Sequence, residues 1–181
     1  MTFLVDPFFW AFVSAIGIVA GNAIQGSPVV GRNQTFGFIV IVTATLGRVV
    51  LVLPAVVQPR FAEGGAFVYT AGALIFAVAG LLMLPLLRIK PLTRPDASEP
   101  LTTRGVFGFI RHPGYSANVL LGLGCAVFFS STIGVLLTPV WFGAFWLHAL
   151  IEEEALMAKY GAAYKDYMAR VPARLIPRIG L

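Results

Sequence analysis

Charge is what this sequence has least of. Asp, Glu, Lys and Arg together make up 12% of its 181 residues, about half the share of an ordinary soluble domain. So few charges cannot cover a water-exposed surface, which argues against a soluble globule. Cysteine is nearly absent. Cys125 stands alone, so no disulfide can close within the chain and no cysteine-ligated metal cluster can form. It lies inside an apolar run and reads as a small core residue. Histidine is scarce too: His112 and His148 are the two present, too few and too far apart for a metal motif. No basic residue precedes the first apolar run, "MTFLVDPFFW", so no removable signal peptide is expected.

What is present is hydrophobic. Apolar residues make up 58% of the chain, and the mean hydropathy is +0.86. Five apolar stretches, at 8–24, 36–57, 66–87, 114–130 and 132–151, lie near the ~20 residues that cross a bilayer. The fold class expected is all-α integral membrane with five transmembrane helices. Spans four and five, parted by "SST", form a C-terminal helical hairpin. One membrane domain, 1–181, is expected, with three spans in 1–88 and a polar loop, hairpin and C-terminal helix in 89–181. Residues 152–171, with Leu156, Tyr160, Tyr164, Tyr167 and Val171 at helical spacing, read as an amphipathic helix at the membrane boundary or packed over the hairpin.

The formal charge of +5 suits cytoplasmic loops rather than a nucleic-acid partner. With five alternating crossings, Arg32, Arg88, Lys90, Arg94, Arg104, Arg111, Lys159, Lys165, Arg170, Arg174 and Arg178 fall on one side; Arg60 falls opposite. The positive-inside rule then puts the N-terminus outside and the C-terminus in the cytoplasm. Arg48 falls inside span two, where an ionised side chain needs a partner or water. It can snorkel, meet Asp6 or Glu63, or line a substrate cavity. Asn118 can bond a neighbouring helix.

Two polar clusters open and close the hairpin. In "GFIRHPGYSANVLLGLG" (108–124), Pro113 suits the first position of a helix and His112 its cap. Arg111 and the free N–H groups there favour an anion, either a lipid phosphate or part of a ligand. In "HALIEEEAL" (148–156), His148 and Glu152 share one helix face, while Glu153 points about 100° away. These acids are either a solvated helix end or a carboxylate seat for a cationic ligand.

The stretch "LTTRGVFGFIRHPGY" (101–115), with "EEEALMAKYGAAYKDYMARVPARLIP" (152–177), resembles the isoprenylcysteine carboxyl methyltransferase family and the related phospholipid methyltransferases. Those proteins share L-x-T-x-G-x-Y-x-x-x-R-H-P-x-Y, a hairpin, then E-E-x-x-L-x-x-x-[FY]-G-x-x-Y-x-x-Y. The resemblance implies a methyltransferase using S-adenosyl-L-methionine, held on the cytoplasmic side, with a lipid or amphiphilic acceptor. It implies cofactor contacts from Leu101, Thr102, Phe107 (where the family has Tyr), His112, Pro113, Gly114, Tyr115, Gly122 and Gly124. Glu152 would hold the cofactor's ammonium, with Glu153 beside it, and Arg111, His148 and Glu152 would serve the reaction. The carboxyl methyltransferases carry an Arg four residues before the first Glu. His148 stands there and is a weaker, pH-dependent carboxylate partner, so the acceptor is either a carboxylate or another lipid-borne group, such as a phospholipid amine. A sterol-reductase-like enzyme using NADPH shares the hairpin and the "KYGxxY…VP" tail. A non-catalytic scaffold for anionic lipid is the third reading.

Overall fold

The computed structural model describes residues 2–26, 34–84 and 100–177, with side chains at 4–21, 43–84 and 100–177. Among the described residues the regular elements are helical. They are α1 (Pro7–Gly26), α2 (Gln34–Val52), α3 (Ala66–Met83), α4 (Pro113–Phe128), α5 (Thr132–Tyr160) and α6 (Ala162–Arg170). Five of these coincide with the apolar runs, with informative differences at their ends. The second run was expected to stay helical to Val57, but α2 stops at Val52. Pro54 disfavours helical backbone at the residue before it, so the chain turns there. The expected single amphipathic helix over 152–171 is instead two pieces. Residues 152–160 continue α5, and Gly161, at φ +55°, breaks the helix before α6. A left-handed backbone is cheap only for glycine. Arg32, Arg88, Lys90, Arg94 and Arg178, on which the expected orientation partly leans, lie outside the described residues.

Among the described residues, α3 and α5 are long and apolar enough to cross a membrane, whereas α4 is shorter. Length alone does not separate a bilayer span from a buried core helix, but exposure does. Only 11% of the most apolar window of α3 is buried. Phe67, Leu74 and Leu81, one face of α3, are 86%, 62% and 67% exposed. A continuous exposed apolar face of this kind is fitted to lipid, not water.

The helices pack through small residues. A Cβ added at Gly72 of α3 would sit 2.6 Å from the Phe128 backbone of α4, and one at Gly124 would sit 2.9 Å from the Phe76 backbone. α1 and α2 meet as closely at Gly17 and Gly47, and the buried Ser14 hydroxyl donates to the Ala44 carbonyl at 3.1 Å. Close backbone approach through glycine is how helices gain contact where lipid weakens the hydrophobic drive to associate. Leu51, Val52, Ala126 and Trp141 form the buried centre where α2, α4 and α5 converge.

One end of the bundle is closed by Arg60, the basic residue left opposite the others by the alternating reading. Its guanidinium donates to the carbonyls of Val52 (2.8 Å), Leu53 (2.7 Å), Val56 (3.2 Å) and Phe129 (2.7 Å). These carbonyls lie at and just beyond the ends of α2 and α4, where a cation both satisfies and stabilises them. Ser131 accepts from the Gly134 amide at 3.0 Å and so starts α5. The polar clusters of the motif lie at the opposite end.

Candidate active site

α4 begins as its sequence requires, with His112 at the cap and Pro113 in the first turn. Apart from the Gly114 N–H, the amides around this start are not left free for an anion, however. The Arg111 N–H donates to the Ala173 carbonyl at 2.9 Å and the His112 N–H to the Arg174 carbonyl at 3.0 Å. The Tyr115 and Ser116 amides turn back to the His112 carbonyl, at 3.2 and 3.3 Å, and Pro113 has no N–H to offer. The chain after α6 runs extended past Pro172 and lies along residues 111–112, where the Ser116 hydroxyl also reaches Leu175. The expected anion seat at these amides is therefore covered by the protein itself.

The side chains form an ion network across the hairpin. Glu153, 3% exposed, accepts from Arg111 Nε at 2.8 Å, from His112 Nε2 at 3.1 Å, and from Arg174 Nη2 at 2.7 Å and Nε at 3.0 Å. Glu152 Oε2 lies 3.1 Å from His112 Nδ1. A neutral imidazole has one donor nitrogen and one acceptor. With a carboxylate oxygen against each nitrogen, His112 must carry both protons. Burial opposes that charge, but hydrogen bonds and attraction from Glu152 and Glu153 outweigh it and raise its pKa. Burial likewise opposes ionised Glu153, yet hydrogen bonds from His112, Arg174 and Arg111 hold its carboxyl well below the usual carboxylate range. Three cations face two carboxylates, leaving one positive charge in excess.

This geometry separates the two acids that the sequence places side by side. Both oxygens of Glu153 are engaged, and Arg111, 8% exposed, gives a further donor to the Val171 carbonyl at 2.7 Å. Both residues are engaged by close partners within the protein. Arg111, expected to serve the reaction, and Glu153, expected beside the cofactor's ammonium, lock α4, α5 and the C-terminal segment together instead. Glu152 differs: its side chain is 37% accessible, and Tyr115 donates a second hydrogen bond to it.

Around Glu152 the aromatic rings make a half-open wall. Tyr115 stacks on His112 at 5.4 Å and on Phe145 at 5.6 Å, and meets His148 edge-on at 5.1 Å. His148 and Glu152 lie one turn apart on α5, as the spacing requires. Leu101 and Phe107 pack against Tyr164, Tyr167 and Val171, and the Tyr167 hydroxyl donates to the Phe107 carbonyl at 2.8 Å. The tyrosine stripe is thus mostly buried against this loop, while Thr102 is exposed. Gly114 receives a hydrogen bond from Asn118 at 3.0 Å.

The Gly122-x-Gly124 pair does not act as a unit. Residues two apart on a helix point to nearly opposite sides. Gly122 faces Trp141 of α5 and Gly124 faces the α3 backbone, so close packing accounts for Gly124 without a cofactor. Arg174 was read from the sequence only as one basic residue of the tail.

Residues 91–163 match the phospholipid methyltransferase family. This stretch is similar to that family. It holds both ends of the hairpin, including His112, Tyr115, His148 and Glu152. The chain is also 31% identical over 94 residues to the Delta(14)-sterol reductase TM7SF2 of Mus musculus, a match covering 48% of this chain and 22% of the reductase. The chain thus spans well under half the length of that relative. No solved structure matches.

Proposed function

We propose that the chain transfers a methyl group from S-adenosyl-L-methionine to a lipid-borne acceptor. The observation that carries this reading is the 3.1 Å contact between His112 and half-open Glu152, inside the family segment. Its residues suit the cofactor. Glu152 offers a carboxylate for its ammonium, Tyr115 and Phe145 offer ring faces for a sulfonium, and the excess positive charge favours its carboxylate. When bound, the cofactor supplies an electrophilic methyl.

The chain's own part is to hold and orient. His112, with both nitrogens protonated and engaged, fixes Glu152 and is no base. Rings on one side and lipid on the other keep water from the reacting atoms. A carboxylate acceptor needs only positioning, whereas an amine acceptor must lose a proton, for which His148 or a Glu is the candidate base. On this reading α1 to α5 are the five spans, with the site on the cytoplasmic side and the N-terminus outside. α4, 16 residues long or about 24 Å, crosses with the help of its neighbours.

Calorimetry of S-adenosylhomocysteine binding in detergent tests the reading. Wild type should bind and Glu152→Ala should not; silence from the wild type, or equal binding by both, ends it. The reductase relative favours a second reading, an NADPH-dependent membrane enzyme. Thermal shifts compared between NADPH and S-adenosylmethionine separate the two, since stabilisation by NADPH alone is expected only of the reductase.

A further inference from the structure

Arg48 of α2 is 3% exposed and meets neither Asp6 nor Glu63. Among the described residues no carboxylate lies within ion-pair distance of it. Its hydrogen bonds are long: 3.3 Å to the Ala44 carbonyl, 3.5 Å to the Asn118 carbonyl, 3.5 Å to the Thr45 hydroxyl and 3.3 Å to Asn118 Oδ1. Arg60, the guanidinium that closes the other end, holds three of its four carbonyls at 2.7–2.8 Å. Arg60 is a satisfied structural cation. Arg48 is held loosely, by neutral dipoles.

The rings around it complete the contrast. The guanidinium carbon lies 5.0 Å from the Phe145 ring centre and 6.0 Å from that of Trp141. Phe145 is the ring that stacks on Tyr115, which in turn reaches His112, His148 and Glu152. Arg48 therefore sits at the deep end of the same half-open aromatic wall whose other end is Glu152. The two charges are opposite in sign and separated along α5 by the seven residues from Phe145 to Glu152, about 10 Å.

An isolated cation at membrane depth is costly unless something anionic meets it, and neutral acceptors at 3.3–3.5 Å sit at the long, weak limit of hydrogen bonding. We propose that Arg48 is the binding residue for the anionic group, phosphate or carboxylate, of the amphiphilic acceptor. That acceptor lies along the Phe145–Tyr115 wall with its apolar chain in the bilayer. The guanidinium fork grips the oxyanion, Asn118 and the rings hold the fork in place, and the wall leads the acceptor toward Glu152. This inference rests on the methyl-transfer reading for what lies at the far end of the wall, but the anion site itself can be tested apart from it.

The test uses the purified full chain in a neutral detergent. Melting is followed with dodecyl phosphate, laurate, inorganic phosphate or dodecanol added, and S-adenosylhomocysteine binding is measured in parallel. Dodecyl phosphate or laurate at saturating concentration should raise the wild-type melting temperature by about 5 °C, and dodecanol should not. Arg48→Gln should lose that response while keeping S-adenosylhomocysteine affinity. Arg48→Lys, with a point charge in place of the fork, should need about tenfold more dodecyl phosphate for the same shift. No shift in the wild type, or equal shifts in wild type and Arg48→Gln, overturns the site. An equal effect of inorganic phosphate overturns the lipid-borne source. If Arg48→Gln does not fold, Arg48→Lys decides alone, and an unchanged dodecyl phosphate requirement overturns the proposal. A wild type that responds to dodecyl phosphate but binds no S-adenosylhomocysteine refutes the methyltransferase reading and leaves the anion site standing.

Discussion

Replacing Glu153 with glutamine separates the structural acid from the one proposed to hold the cofactor. Its carboxylate is nearly inaccessible and takes four hydrogen bonds, two of them at 2.7 and 2.8 Å, from Arg111, His112 and Arg174. Glutamine of the same size removes the charge and turns one oxygen into a donor that faces donors. Removing one partner of a buried ionic group costs ~3–5 kcal/mol, because the remaining charges stay buried without compensation. At 2–4 °C for each kcal/mol in a chain of this size, the melting temperature should fall by about 6–20 °C.

Glu152→Gln is the matched control. That side chain is 37% accessible and meets His112 at one oxygen, so the stability lost should be no more than about 1 kcal/mol. Thermal melting in detergent, paired with calorimetry of S-adenosylhomocysteine, reads both quantities. The expected result is a crossed pattern, in which Glu153→Gln melts early while the fraction still folded binds, and Glu152→Gln melts normally and fails to bind. If Glu153→Gln melts within about 2 °C of wild type, where even 1 kcal/mol would show, and binding is lost, the division of roles is wrong.

The pH dependence follows from His112. Its pKa is raised in the folded chain from 6.5, so the stability it adds is complete below that value and is lost as pH rises through the folded one. Melting temperature should therefore decline as pH rises above 6.5, and His112→Gln should flatten the decline. Glu153, with its pKa lowered from 4.5, adds stability that persists above that value and is lost only in strong acid. Gly124→Ala places a Cβ 2.9 Å from the α3 backbone and should cost ~1–3 kcal/mol. Gly122→Ala meets only Trp141, at 3.7 Å, and should melt as wild type; equal losses would mean that the two glycines share a role.

Local rules carried the reading of the fold some distance. Hydrophobic runs located the helices, and Pro113 located the start of α4, because both signals act within a few residues. The end of α2 and the break at Gly161 were misjudged because apolar and amphipathic patterns ran on past Pro54 and Gly161, whose backbone preferences override them. The site was legible as two motifs at opposite ends of a hairpin. It was not legible which of Glu152 and Glu153 is closed off, because that depends on Arg174 and on the carbonyls of 171–174, distant in sequence and lacking periodicity. Arg48 was visible as an anomaly, but its Asn118 and Phe145 partners are a matter of helix packing.

The C-terminal segment changes what the R-H-P motif means physically. Read alone, the motif is a cationic helix start ready for an anion. With residues 171–175 laid against it, the amides are used and Arg111 turns inward to Glu153. His112 is left as the hinge of the network, one nitrogen on the buried acid and one on the open acid. A doubly bonded imidazolium cannot rotate without breaking a buried charge pair, so the orientation of Glu152 is fixed before any ligand arrives. Preorganisation of this kind reduces the ordering cost of binding. It also places the need for a folded tail on ligand affinity: loss of the 171–175 contacts frees His112 and Glu152 together and should weaken S-adenosylhomocysteine binding. Arg174→Gln is the mildest form of that change. If it lowers stability while leaving that affinity intact, the network holds the fold and does nothing for the site.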